Sequence, residues 1–131
     1  MQRKWREILL GGYWLALFIA THIPVPQELG GMLEHNNDKL LHMGVYTILA
    51  VCWANWRHAV GGWSRKKTWQ GILLLGFYGI ADELIQIPTG RSAELKDWLS
   101  DMIGIVLGFA IWWGYLNLFR RSTEPVSSQS T

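Results

Sequence analysis

The sequence predicts an all-α fold: an integral membrane bundle of four transmembrane helices with both termini cytoplasmic. Three observations predict it. Half of the 131 residues are hydrophobic and only 17% are charged, below the roughly 25% of soluble domains. The apolar residues gather in four segments, 8–23, 40–56, 69–87 and 98–119, each near the roughly 17–25 residues that cross a hydrocarbon core, the first being marginal. Nine of the twelve basic residues fall at one set of segment ends. The mean hydropathy is a modest +0.10, because connecting loops and polar residues dilute the apolar segments.

The first segment follows the basic run "MQRKWRE". A cleaved signal peptide is the competing reading, but no small-x-small cleavage site follows; the next residues are "THIPVP". None of the segments alternates as a strand does, and an open sheet edge is excluded from lipid, so all four are read as helices. The third and fourth are apolar nearly all round, which argues against a soluble bundle. Trp5, Trp56, Trp69 and Trp98 lie near segment ends, where aromatic belts are expected. Tyr13, Tyr46 and Tyr78 are expected to pack or to join such belts.

Orientation follows from the basic residues. Arg3, Lys4 and Arg6 precede the first segment, Arg57, Arg65, Lys66 and Lys67 join the second and third, and Arg120 and Arg121 end the fourth. Lys39, Arg91 and Lys96 fall on the other side. The positive-inside rule makes the nine-residue side cytoplasmic. One domain is expected over residues 1–121, with "STEPVSSQST" at 122–131 as a disordered cytoplasmic tail. A single cysteine, Cys52, excludes an internal disulfide and a cysteine-based metal cluster. No nucleic-acid motif, Gly-rich phosphate loop or internal repeat is present.

The outer segment ends carry the chemistry. Asp38, Lys39 and His42 open the second segment, Asp82, Glu83 and Gln86 close the third, Arg91 lies in the following loop, and Asp97 and Asp101 open the fourth. Asp38, His42 and Tyr46 repeat every four residues and share a helix face, as do Asp82 and Gln86, with Glu83 about 100° away. Asp97, Asp101, Gly104 and Gly108 form one stripe, whose two glycines would let a neighbouring helix approach closely. Capping accounts equally well for Asp38 and Asp97 taken singly, and a lone histidine is more often a satisfied polar residue than a ligand. Ionisable residues gathered at one membrane depth are costly, and by default they mark function. All nine, from Asp38 to Asp101, are therefore candidate ligand-binding residues. His42, Asp82, Glu83 and Asp97 are the candidate acid–base groups should a reaction occur. Too many carboxylates for the available cations implies a shared proton, expected between Asp97 and Asp101. No metal and no cofactor is expected.

"DKLLH" with Tyr46, "DELIQ", "PTGR", Asp97 and the Gly104/Gly108 pair, in that order and spacing, resemble the VanZ-like family of small membrane proteins over residues 38–108. The family usually carries Asn four residues after the Asp of the fourth helix, where this chain has Asp101. The resemblance implies a multi-pass protein of the bacterial cytoplasmic membrane, concerned with the cell envelope. The name-giving member confers low-level resistance to the glycopeptide teicoplanin, and no reaction comes with the resemblance. The first functional expectation is an outer-leaflet acidic pocket for a lipid headgroup, a lipid-linked cell-wall or polysaccharide precursor, or a glycopeptide. Arg91 and Lys39 would then engage phosphate or carboxylate. The second is a hydrolase or transferase acting on a lipid-linked envelope substrate, with His42 and carboxylates as acid and base or as metal ligands. The third is a scaffold whose buried ions fix helix register. Membrane lipids are expected partners and nucleic acid is not.

Overall fold

The computed structural model describes residues 2–22, 35–87 and 95–122. Among them the chain is all helical, with four helices and no strand: α1 (Gln2–His22), α2 (His35–Gly61), α3 (Arg65–Gln86) and α4 (Leu95–Ser122). Each expected apolar segment lies within or nearly within one helix, and the helices run further, taking in the polar flanks. The proposed tail beyond Ser122 lies outside the described residues.

Local chemistry fixes the turn between α2 and α3. Gly62 has φ +68°, the left-handed conformation that glycine adopts without a Cβ penalty, and its N–H returns to His58 O at 2.9 Å, closing α2 in an αL cap. Lys67 Nζ donates to the Gly62 carbonyl at 2.7 Å and also to that of Gly61. Ser64 then caps α3, its hydroxyl accepting from Lys67 N at 3.3 Å. Outside the apolar stretch of α1, Arg3 and Glu7 pair at 3.0 Å, and the Arg3 hydrogen bond holds the Glu7 carboxyl below its ordinary range.

The helices alternate in direction. Arg6 near the start of α1 donates to Asn55 O near the end of α2 at 3.3 Å. The last turn of α1 meets the last turn of α3 through Thr21 and Asp82. Trp98 at the start of α4 donates to Gly76 O on α3 at 3.1 Å. Trp113 near the end of α4 reaches Thr68 at the start of α3 at 3.2 Å. One end of the bundle therefore gathers Arg3, Lys4 and Arg6 of α1, Arg57 of α2 and Arg65, Lys66 and Lys67 of α3, and the other gathers Lys39, His42, Asp82, Glu83 and Asp101.

The core is a seam between α2 and α4, which make the most extensive contact in the molecule. Tyr46, Leu49, Ala50, Trp53 and Ala54 form one helical stripe on α2, faced by Ile105, Phe109 and Trp112 on α4. Leu10 and Leu17, two turns apart on α1, and Leu75 on α3 complete it. Trp53, Trp63 and Phe109 interlock at centroid separations of 5.7–6.0 Å, within the favourable range for aromatic pairs. The glycine pair on α4 does what its spacing implies. A Cβ built on Gly104 would run into Met43 O, and one on Gly108 would stand 2.5 Å from Thr47 O. The close approach lets Thr47 Oγ1 reach Gly104 O across the seam at 3.1 Å. Close packing and interhelical hydrogen bonds are what hold helices together where the surroundings are apolar.

The outer faces are apolar on every helix: Leu15 and Ile19 on α1, Leu41 and Ile48 on α2, Phe77 and Leu84 on α3, Ile103 and Ile111 on α4 are all exposed. Leu95–Phe119 on α4 is long and apolar enough to cross a membrane, with mean hydropathy 1.7, and only 28% of its most apolar stretch is buried, whereas the core helix of a soluble protein would be mostly enclosed. Among the described residues it is the one helix that meets this test, fewer than the four expected. The other three mix their aliphatic residues with Trp, Tyr, Gly and charged ends, which lower hydropathy without making a face polar. The expected aromatic belt divides likewise: Trp5 and Trp69 are exposed near helix ends, while Trp56 and Trp98 are half-buried in packing.

Candidate functional site

The acidic end of the bundle is built from three helices whose polar residues face inward. His42, Asp82, Glu83 and Asp101 are only 7%, 2%, 6% and 1% exposed, so these four are interior groups and no solvated fringe. Asp82 and Glu83 are neighbours about 100° apart on α3, yet both are buried, because α3 is covered on that side by both α1 and α4. His42 and Tyr46 are buried one turn apart on α2, as their shared face requires. Asp101 continues the stripe of Gly104 and Gly108 toward the polar end of the seam.

Asp101 Oδ1 stands 3.0 Å from His42 Nδ1. One of the two groups carries the proton of this contact: Nδ1 opposite an ionised carboxylate, or Oδ1 of a protonated acid. Asp101 Oδ2 is buried and has no hydrogen-bond partner. The sequence leads to an expected proton shared with Asp97; the structure adds the imidazole of His42, one helix away, as a close polar neighbour of Asp101. Asp97 is half-buried a turn earlier on α4. On the other side of the site, Thr21 Oγ1 donates to Asp82 Oδ1 at 3.0 Å, and His22 Nδ1 lies 3.8 Å from the same oxygen. His22 Nδ1 is also 2.8 Å from Phe18 O, which fixes the ring against the last turn of α1.

Gly79 lines the inner wall. A Cβ there would stand 3.4 Å from Asp101 Oδ2, 3.4 Å from Trp98 Cδ1 and 3.7 Å from the Tyr46 hydroxyl. The Tyr46 hydroxyl is itself buried without a hydrogen-bond partner. Two unsatisfied polar atoms thus converge on the face of α3 that carries Gly79 and, one turn on, Glu83. Buried polar atoms left unpaired each cost roughly 1–3 kcal/mol.

Among the sequence candidates, then, the structure brings together His42, Asp82, Glu83 and Asp101. Lys39 is half-buried in the first turns of α2. Asp38 and Gln86 belong to α2 and α3, but their side chains, like the whole of Arg91, lie outside the described residues. Ser100 is held by its own helix, Oγ donating to Lys96 O at 3.0 Å. Thr21 and His22 join the site without having been singled out from the sequence. The signal was present: a Thr-His pair ends the first apolar segment at the depth of the other polar residues. Comparison with protein families, with curated proteins and with solved structures finds no match for this chain.

Proposed function

We propose that the chain is a VanZ-like membrane protein of the bacterial cell envelope, with four spans, both termini cytoplasmic, and an outer-leaflet acidic site that binds the polar part of an envelope ligand. The observation that carries this reading is the pairing of opposites in one small bundle. Four interior ionisable residues sit at one end, basic residues gather at the other, and every helix between presents exposed aliphatic side chains. Ionisable residues inside a membrane are rare, face the bundle interior and mark ligand or ion pathways; the burial of Asp82, Glu83 and Asp101 fits that pattern. The basic end fits the cytoplasmic side of the positive-inside rule.

The site's chemistry favours a ligand that brings positive charge or hydrogen-bond donors. Carboxylates at Asp82, Glu83, Asp97 and Asp101 suit an amine or hydroxyls, while Lys39 and Arg91 suit a phosphate or carboxylate on the same ligand. A lipid headgroup, a lipid-linked cell-wall or polysaccharide precursor and an amine-bearing glycopeptide all present such groups, and glycopeptide tolerance is the corresponding phenotype. Native mass spectrometry of the detergent-purified chain tests this. A co-purifying envelope lipid or precursor that is lost in Asp82→Asn is the expected result, and protein free of ligand that also binds no added teicoplanin or lipid-linked precursor would contradict it.

A second reading, a hydrolase or transferase acting on a lipid-linked substrate, is favoured by one observation: the 3.0 Å His42–Asp101 pair, in which a carboxylate orients an imidazole as it does for general bases.

A further inference from the structure

We infer that His42, Glu83 and Asp101 form a binding site for a divalent transition metal of the Zn2+ class at the acidic end of the bundle. The inference concerns the chain's own side chains and holds whichever envelope ligand is bound. Among the described residues these three are a group in which one ligand atom from each lies within 4.8 Å of the other two, and all three are buried. They come from three different helices, so no single helix's surface chemistry accounts for their meeting.

Three features point to a cation. The donor set is one imidazole and two carboxylates, borderline-to-hard ligands that Zn2+ accepts at about 2.0–2.2 Å. Two such ligands around a tetrahedral ion stand roughly 3.3 Å apart by that bond length. One ligand atom from each of His42, Glu83 and Asp101 lies within 4.8 Å of the other two, so the side chains would have to draw in around the ion to complete the set. Asp101 Oδ2, on a residue 99% enclosed, has no hydrogen-bond partner, and it faces the side of α3 on which Gly79 and Glu83 follow one another. An ion held there would satisfy the orphaned oxygen, and three protein ligands would leave a coordination position open, the arrangement of metal sites that act on substrates. The ion would displace a proton from His42 Nδ1 or engage its other ring nitrogen. Either way binding requires a neutral imidazole and ionised carboxylates, and uptake weakens on acidification.

The test uses the full chain purified in detergent, with Zn2+ as the probe. Metal content by elemental mass spectrometry is expected to be stoichiometric after Zn2+ loading and dialysis. Co2+ in its place is expected to give the visible absorption of a low-symmetry site. Glu83→Gln, Asp101→Asn and His42→Gln are each expected to weaken Zn2+ by more than the roughly 10–100-fold that outer-shell changes cost. Thr21→Val, which removes the hydroxyl that donates to Asp82 Oδ1, is expected to retain it. Should a ligand variant fail to fold, the wild type alone decides: chelation is expected to lower its melting temperature and Zn2+ to restore it. A folded wild type that takes up no Zn2+ at micromolar free metal, or whose uptake survives all three ligand substitutions, overturns the inference.

Discussion

His42 and Asp101 face each other across the α2–α4 seam, imidazole Nδ1 to carboxylate Oδ1 at 3.0 Å, with 7% and 1% of each residue exposed. The pair sits one turn from the point where Gly104 lets the two helix backbones come together. Helix packing thus delivers an imidazole and a carboxylate to the same spot. A buried pair of this kind is strongly destabilised when one partner is removed, typically by 3–5 kcal/mol, because the other is left uncompensated.

Asp101→Ala and Asp101→Asn are therefore expected to part company. In chelator-treated protein, Asp101→Asn keeps an oxygen that accepts from His42 Nδ1–H and should melt close to wild type. Asp101→Ala strands a buried imidazole and should lose on the order of 3 kcal/mol. Thermal unfolding followed by circular dichroism in detergent checks this; equal losses for the two variants would mean that the pair does not hold the seam.

The glycines of α4 give a packing prediction of the opposite sign from helix propensity. Ala is favoured over Gly inside a helix by roughly 0.8–1.0 kcal/mol, so replacement at the open position Gly114, with no neighbour within 4 Å, should be neutral or stabilising. At Gly104 the same methyl meets the Met43 carbonyl, and overpacking costs about 1–3 kcal/mol. Gly104→Ala is expected to lower the melting temperature and Gly114→Ala to leave it unchanged or raise it.

How much of this was legible in the sequence follows from which interactions are local. The helices were, because apolar runs without strand alternation are local features; the stripe Asp101–Gly104–Gly108 was, because helical periodicity alone puts it on one face. That Asp82, Glu83 and Asp101 gather at one end of the bundle followed from their positions at the ends of the apolar segments; their burial is set by packing between helices. The partner of Asp101 was not legible: its neighbour on the same helix, Asp97, is visible from spacing, whereas His42 lies 59 residues away and meets it only through the parallel run of α2 and α4. Thr21 and His22 were missed for a related reason. They end a helix that carries no acidic residue at that end, and only the packing of α1 against α3 gives them a role. The number of spans was read from segment length, whereas among the described residues α4 alone is both long and apolar enough to cross a membrane.

Thr21→Val tests the contribution of α1. The hydroxyl bond to Asp82 Oδ1 is an interhelical bond in apolar surroundings, where such bonds average about 0.6 kcal/mol and reach about 1.7. A loss in the upper half of that range is expected, since the acceptor is a buried carboxylate, and it should appear in unfolding of the detergent-purified variant. No loss at all would place the hold on Asp82 elsewhere and reduce α1 to an apolar cover.

The account's central claim is that the acidic end of a four-span bundle faces outward and the basic end faces the cytoplasm. Accessibility of single cysteines to a membrane-impermeant maleimide in intact cells tests it most directly, in a Cys52→Ser background. Gly30→Cys, between α1 and α2 in the sequence, and Gly90→Cys, between α3 and α4, are expected to react in intact cells. Gly62→Cys, in the α2–α3 turn, and Ser127→Cys are expected to react only after lysis. The opposite pattern would turn the acidic site to the cytoplasm, and labelling of all four positions in soluble protein would remove the membrane from the account altogether.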